Sequence, residues 1–277
     1  MSQDKYTAVW VSHSSMGDFL KCPRLYYLHN IYKDPKTGNK VSLVSPHMSL
    51  GVAVHEVLEG LGDYKSEDRM KQDLIKKYEE AWAKVTGPRG GFKNTDEEKE
   101  FKERGLRMIE NVIKDPKFLV NKTLKLKREK MNPNFFLSDE HNIILNGLVD
   151  WIEYLPETDS LHIVDFKTGK KEESESSLQL PIYLLLCDAL QKRKVTKASY
   201  WYLESDKIVE KELPNLEEAR IAVMEVALKV KEARDKKEFK CPYGEAGCFG
   251  CKPYEAILKG EAKYLGIGGF SQDLYMI

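Results

Sequence analysis

No stretch of the 277-residue chain approaches the roughly 20 consecutive apolar residues that a bilayer-spanning helix needs. The opening MSQDKYTAVW carries no apolar run of the secretion-signal kind. Neither sign of charge is in excess, since 44 Lys and Arg balance 44 Asp and Glu. A soluble, cytoplasmic protein is expected, and any contact with a polyanion has to come from a local basic patch rather than from bulk charge. Cysteine is sparse, five in all, and in a reducing compartment five thiols point to metal or redox chemistry rather than to disulfides. Internal repeats and low-complexity tails are missing as well. The hydrophobic fraction, 42%, suffices for one sizeable core with decorations.

The chain divides by pattern. SHSSMGDFLKCPRLYYLHNIYK (12–33) opens on capping serines and spaces Met16, Phe19, Leu20 and Leu25 at helical intervals. SPHMSLGVAVHEVLEGL (45–61) reads as a second helix, and 64–118 as charged and mostly helical, interrupted by TGPRGGFKNT, a mobile loop. From 122 to 213 the period changes to two: KTLKLKREK, NIILNGLVDWIEYL and LHIVDFK read as three strands. A serine-rich connection and the apolar helix SLQLPIYLLLCDAL follow, then the hairpin KASYWYLES and KIVEKEL, then a long amphipathic helix from Asn215. These elements predict one α/β domain around a mixed sheet. Its parts are an N-terminal helical element (12–44), a helical insertion (63–118), a sheet core with flanking helices (119–237) and a cysteine-rich tail (238–277).

Within the third strand, IVDFKTGKK sets Ile163, Asp165 and Lys167 on one face and Val164 and Phe166 on the other. Two charges beside a core residue imply a buried ion pair or a reactive site. If LPETDS (155–160) joins the second and third strands, Tyr154 pairs with Leu161, Ile152 with Ile163, and Asp150 falls opposite Asp165. Facing carboxylates call for a cation between them, and Mg²⁺ prefers one or two carboxylates plus water and phosphate oxygens. A one-residue slip of register would separate them.

The set GLVDWIE (Asp150), DFKTGK (Asp165, Lys167), QLPIY (Gln179, Tyr183) and GVAVHEVLE (His55, Glu59) resembles the RecB-like branch of the PD-(D/E)xK nuclease superfamily, in order, from about residue 12 to 260. The resemblance implies a restriction-endonuclease-like core, a central mixed sheet flanked by helices. It implies His55, Asp150, Asp165 and the Phe166 carbonyl as ligands of Mg²⁺ or Mn²⁺, with Glu59 supporting from behind. Lys167 would orient the attacking water and stabilise phosphate charge, while Gln179 and Tyr183 position the substrate strand. A surface His–Glu pair and a structural Asp–Lys salt bridge are the plainer readings. Pro181 is tolerable only if its helix has barely begun, and Cys187 is an inert core thiol.

Cys241, Cys248 and Cys251 stand close together, and Cys22 precedes them by more than two hundred residues. Three close thiolates and a distant fourth suit a 4Fe–4S cluster, and zinc fits the same four ligands. The RecB-like and CRISPR-associated relatives include an iron–sulfur group with one N-terminal and three C-terminal cysteines, which implies a clip joining the two ends of the fold. The implied activity is a metal-dependent DNA exonuclease acting on single-stranded ends in recombination, repair, phage DNA processing or CRISPR adaptation. Helicase, recombination or CRISPR integration proteins are the implied partners. The alternative is a catalytically silent DNA-binding or scaffold module of a nuclease–helicase complex. CPRLYYLHNIYK interleaves Arg, Lys and Tyr so as to track phosphates and stack bases, or simply packs by its tyrosines.

Overall fold

The computed structural model describes residues 4–126 and 132–277. In chain order, the first half runs β1 (Val9–Val11), α1 (His13–Lys21), α2 (Pro23–Tyr26), a π-helical turn (Tyr27–Ile31), β2 (Lys40–Leu43), α3 (Pro46–Gly60), α4 (Ser66–Arg69), α5 (Leu74–Trp82) and α6 (Thr95–Lys114). The second half runs β3 (Asn134–Ser138), β4 (Ile143–Asn146), β5 (Trp151–Leu155), β6 (Ser160–Lys167), α7 (Gln179–Leu190), β7 (Val195–Tyr202), β8 (Lys207–Lys211), α8 (Leu216–Lys236), α9 (Lys252–Leu258), β9 (Lys263–Ile267) and β10 (Gln272–Met276). No helix among the described residues is long and apolar enough to cross a membrane.

Two compact units emerge. The first joins the described residues up to Ser45 with Phe135–Asn146 and Arg220–Ile277; the second joins the described residues of Pro46–Asn134 with Gly147–Ala219. The expected N-terminal element and cysteine-rich tail fall in the first, and the segment 63–118 in the second.

The second unit is built on a mixed four-stranded sheet, β5-β6-β7-β8, in which β6 and β7 run parallel and the outer pairs antiparallel. The register inferred from the symmetric loop holds: Tyr154 faces Leu161 and Ile152 faces Ile163. Every residue of β6 but Lys167 is buried, so the strand is covered on both faces and its alternation of polarity is muted. Val164 and Phe166 enter one apolar core with Trp151, Trp201, Trp82 and Met108, contributed by the sheet, α5 and α6. Burial of a side chain such as Phe166 stabilises by about 2–3 kcal/mol. Helix starts follow local chemistry: the Asp73 carboxylate accepts from Lys76 N–H to cap α5, and the Asn94 side chain accepts from Glu97 N–H to cap α6. Pro181 is the third residue of α7, where its missing N–H is one the first turn leaves unused.

Three expectations need correction. NIILNGLVDWIEYL is two strands in two different sheets, because the chain bends between Asn146 and Trp151. KTLKLKREK is no full strand: Thr123 bridges Glu153 and Leu124 N–H donates to the Ile152 carbonyl, while residues 127–130 lie outside the described residues. The Gly- and Pro-rich stretch is anchored, since Phe92 is buried against Trp82 and Phe101.

The first unit holds two sheets, β1-β4-β3 and β2-β10-β9. Ser12 and Ser15 form a reciprocal cap at the start of α1, as the capping serines suggested. The tail read as merely cysteine-rich contributes α9, β9 and β10, and β10 pairs parallel with β2 from Lys40 to Leu43.

Candidate metal centres

β6 brings the first site together. Its Phe166 backbone N–H donates to Asp150 Oδ2 at 2.9 Å, which fixes the aspartate in the bend just before β5. From α3, His55 Nε2 lies 3.1 Å from the Phe166 carbonyl oxygen, and Nδ1 lies 3.1 Å from Glu59 Oε1 and 3.6 Å from Asp150 Oδ2. One ligand atom each from His55, Glu59 and Asp150 falls within 4.8 Å of the others, the spacing of donors around one cation. A cleft of about 40 Å³ beside them, lined by Glu59, Lys125 and Asp150, has room for an ion and a water or two. Gly51, one turn earlier on α3, brings its backbone near Thr168: an added Cβ would lie 3.5 Å from Thr168 Oγ1.

Asp165 is 1% exposed. Its Oδ1 accepts from Gln179 Nε2 at 2.6 Å and from the Tyr183 hydroxyl at 3.2 Å; Oδ2 lies 2.9 Å from Lys167 Nζ but in no hydrogen-bonding alignment. Gln179 bridges, since its Oε1 accepts from Lys167 Nζ at 2.5 Å. Glu59, expected behind the cation ligands, lies within the same cluster of potential ligands as His55 and Asp150. The Asp165 carboxylate stands outside that group, held by Gln179 and Tyr183. Sequence reasoning missed Glu173, whose Oε2 is 3.1 Å from Lys167 Nζ. It comes from the serine-rich connection, where no periodicity marks it.

Electrostatics follow the packing. Burial disfavours the Asp150 carboxylate and the nearby Asp165 charge adds to this, so its pKa is pushed up to about 8. Burial alone would lower His55, but Asp150 and Glu59 hold it up to about 9. Lys167 is likewise depressed by burial and more than restored by Asp165 and Glu173, so it is an ammonium at neutral pH. A cation entering between His55, Glu59 and Asp150 must displace protons. Mn²⁺ affinity should accordingly rise between pH 6.5 and about 9 with proton release. Calorimetry in buffers of differing ionisation heat measures this, and a His55→Ala variant should release fewer protons and lose the upper part of the rise, with Asp150 supplying what remains. A pH-independent affinity would remove His55 from the ligand set.

The second site lies wholly in the first unit. Cys22 joins α1 to α2 in extended backbone, with Pro23 starting α2, and Cys251 caps α9. The sulfurs of Cys22, Cys241, Cys248 and Cys251 all lie within 4.8 Å of one another, with 3.7 Å between Cys248 and Cys251 and 3.8 Å between Cys251 and Cys241. The Cys248 N–H donates to Cys251 Sγ at 3.1 Å. Gly247 has φ +73°, and a Cβ there would sit 3.2 Å from Cys251 Sγ, so the turn requires glycine. Burial raises the Cys22 thiol and pushes Cys251 up to about 12. Against the same tendency, the Cys251 and Gly250 amides draw Cys248 down to about 7. Thiols this close and this shielded fit a soft cation as their common partner. Cys187, in α7, is buried apart from them, its thiol pushed up to about 12 by burial.

An α/β core whose central strand ends in Asp-x-Lys, beside an imidazole–carboxylate cation site, has the layout of a centre for metal-assisted phosphodiester cleavage. The sequence profile of the PD-(D/E)XK nuclease superfamily matches residues 10–257, and the chain belongs to that superfamily. Its members are generally nucleases that use divalent metal ions. No curated protein gives a significant match to the chain.

Proposed function

We propose that the protein is a Mg²⁺- or Mn²⁺-dependent deoxyribonuclease, an exonuclease working from single-stranded ends in recombination, repair, phage DNA processing or CRISPR adaptation. The observation that carries the reading is the convergence of His55, Glu59 and Asp150 around the same strand that bears Asp165 and Lys167. In this reading His55, Glu59, Asp150 and the Phe166 carbonyl would hold the ion, and Asp165 would join them by turning Oδ2, which accepts no hydrogen bond, away from Lys167 Nζ at 2.9 Å. When bound, such an ion supplies an acidified water and neutralises phosphate charge.

The chain's own groups do the rest. Lys167, kept cationic by Asp165 and Glu173, faces developing charge on the phosphate and acts as an electrostatic partner rather than as a proton acceptor. Gln179 holds Lys167 and Asp165 with opposite ends of one amide, and the Tyr183 hydroxyl donates to the same Asp165 Oδ1. These two side chains thereby position Asp165 and Lys167 rather than the substrate strand. For the four cysteines we propose a structural 4Fe–4S cluster, with zinc as the other occupant that four thiolates suit.

End-labelled single- and double-stranded oligonucleotides and circular single strands, with and without Mg²⁺ or Mn²⁺, test the reading. Expected is metal-dependent release of nucleotides from linear single strands only. Cleavage of circles would make the enzyme an endonuclease, and no cleavage with retained DNA binding would leave the scaffold reading.

A further inference from the structure

The first unit carries a groove of about 720 Å³ whose lining includes Arg24, Tyr27, Arg234, Lys237, Phe239 and Glu255. One wall is aromatic: Tyr27 and Phe239 stack with ring centroids 5.1 Å apart and planes 26° from parallel, and both rings are only half-buried. Tyr27 opens the π-helical turn, in which Tyr32 N–H donates to the Tyr27 carbonyl at 2.8 Å. Such widened turns are rare and concentrate at functional sites.

Apart from the apolar Leu28, Ile31 and Leu258, the lining carries three cations against one acid. Glu255, the one carboxylate there, is committed to Arg24 at 2.7 Å. Arg234 donates to the Tyr26 hydroxyl at 3.4 Å, and among the described residues no carboxylate pairs with Arg234, Lys237, Lys33 or Lys40. Lys33, Lys40 and Arg234 lie close enough that, after burial, the other two charges are what lower the Lys40 pKa. Uncompensated like charges beside a stacking surface suit a ligand that alternates flat rings with anions.

We propose that this groove holds a segment of single-stranded DNA, with a base stacked on the Tyr27–Phe239 wall and neighbouring phosphates on Arg234, Lys237 and the flanking Lys33 and Lys40. The inference deepens the nuclease reading by naming where a substrate strand is gripped.

The test is fluorescence anisotropy of a labelled oligothymidylate of about 15 nucleotides with the full chain, Ca²⁺ replacing Mg²⁺. Phe239→Ala should weaken binding about tenfold, yet leave binding of an abasic strand of equal length unchanged. The double variant Arg234→Glu with Lys237→Glu should weaken both strands and reduce the salt slope by about 1.4, the share of two phosphate contacts on a single strand. Turnover of thymidine 5′-p-nitrophenyl phosphate, one phosphodiester with one base, should stay at the wild-type rate in both. Wild-type oligonucleotide affinity in both variants, with unchanged melting, overturns the groove even if the enzyme cleaves DNA. These losses in a protein that cleaves nothing uphold the groove and overturn the nuclease reading. If Phe239→Ala melts early, the charge variant decides. Polyglutamate competing as well as unlabelled DNA would overturn the proposal in favour of an acidic protein segment.

Discussion

Asp165→Ala and Lys167→Ala should each reduce cleavage of single-stranded oligonucleotides by about 10³-fold while leaving the fold intact. The size follows from what each removes. Asp165 is the buried point on which Gln179, Tyr183 and Lys167 all converge. Lys167 is the one cation in that network. Folding should survive either loss, because Lys167 keeps Glu173 and Gln179 as partners, and Asp165 keeps two hydrogen bonds. Circular dichroism and melting check the fold, and end-label release checks the rate. Cleavage near the wild-type rate by either variant would sink the site.

Replacing any one of Cys22, Cys241, Cys248 and Cys251 by serine should abolish the bound metal centre and lower Tm by about 10 °C, with activity falling alongside. The anaerobically purified wild type should be brown, with iron and acid-labile sulfide in cluster stoichiometry. Cys187→Ser should keep the full metal content, because that thiol is isolated in α7. Stoichiometric zinc without sulfide would replace the cluster by a zinc site, and an intact cluster in Cys22→Ser would remove Cys22 from the ligand set. The variants should remain folded at low temperature. The pairing of β2 with β10, the Arg24–Glu255 ion pair and the stacking of Tyr27 on Phe239 hold the same segments together without the metal.

β6 was legible as the candidate site strand because its chemistry contradicts its pattern: Asp165 and Lys167 stand beside Ile163, Val164 and Phe166. The β5–β6 register could be inferred because a short loop fixes it. β2 and β10 could not be found that way, since their four- and five-residue spans pair across more than two hundred positions and leave no local period. The split between β4 and β5 was hidden because Ile143 to Leu145 and Trp151 to Glu153 are all buried, so the apolar reading runs through the bend between them. Glu173 belongs to a serine-rich stretch in which any acidic residue looks solvated, and only the tertiary position of Lys167 gives it a role.

The discontinuity of the first unit also fixes an order of events in time. Cys22 leaves the ribosome more than two hundred residues ahead of Cys241, a lag of about 10–40 s at ordinary rates of synthesis. The span from Pro46 to Ala219, which contains the second unit, is complete well before the last cysteine appears. A metal held by all four thiolates could therefore enter only late in biogenesis. Until then Cys22, the stacking surface of Tyr27 and β2 are present on a nascent chain without their partners.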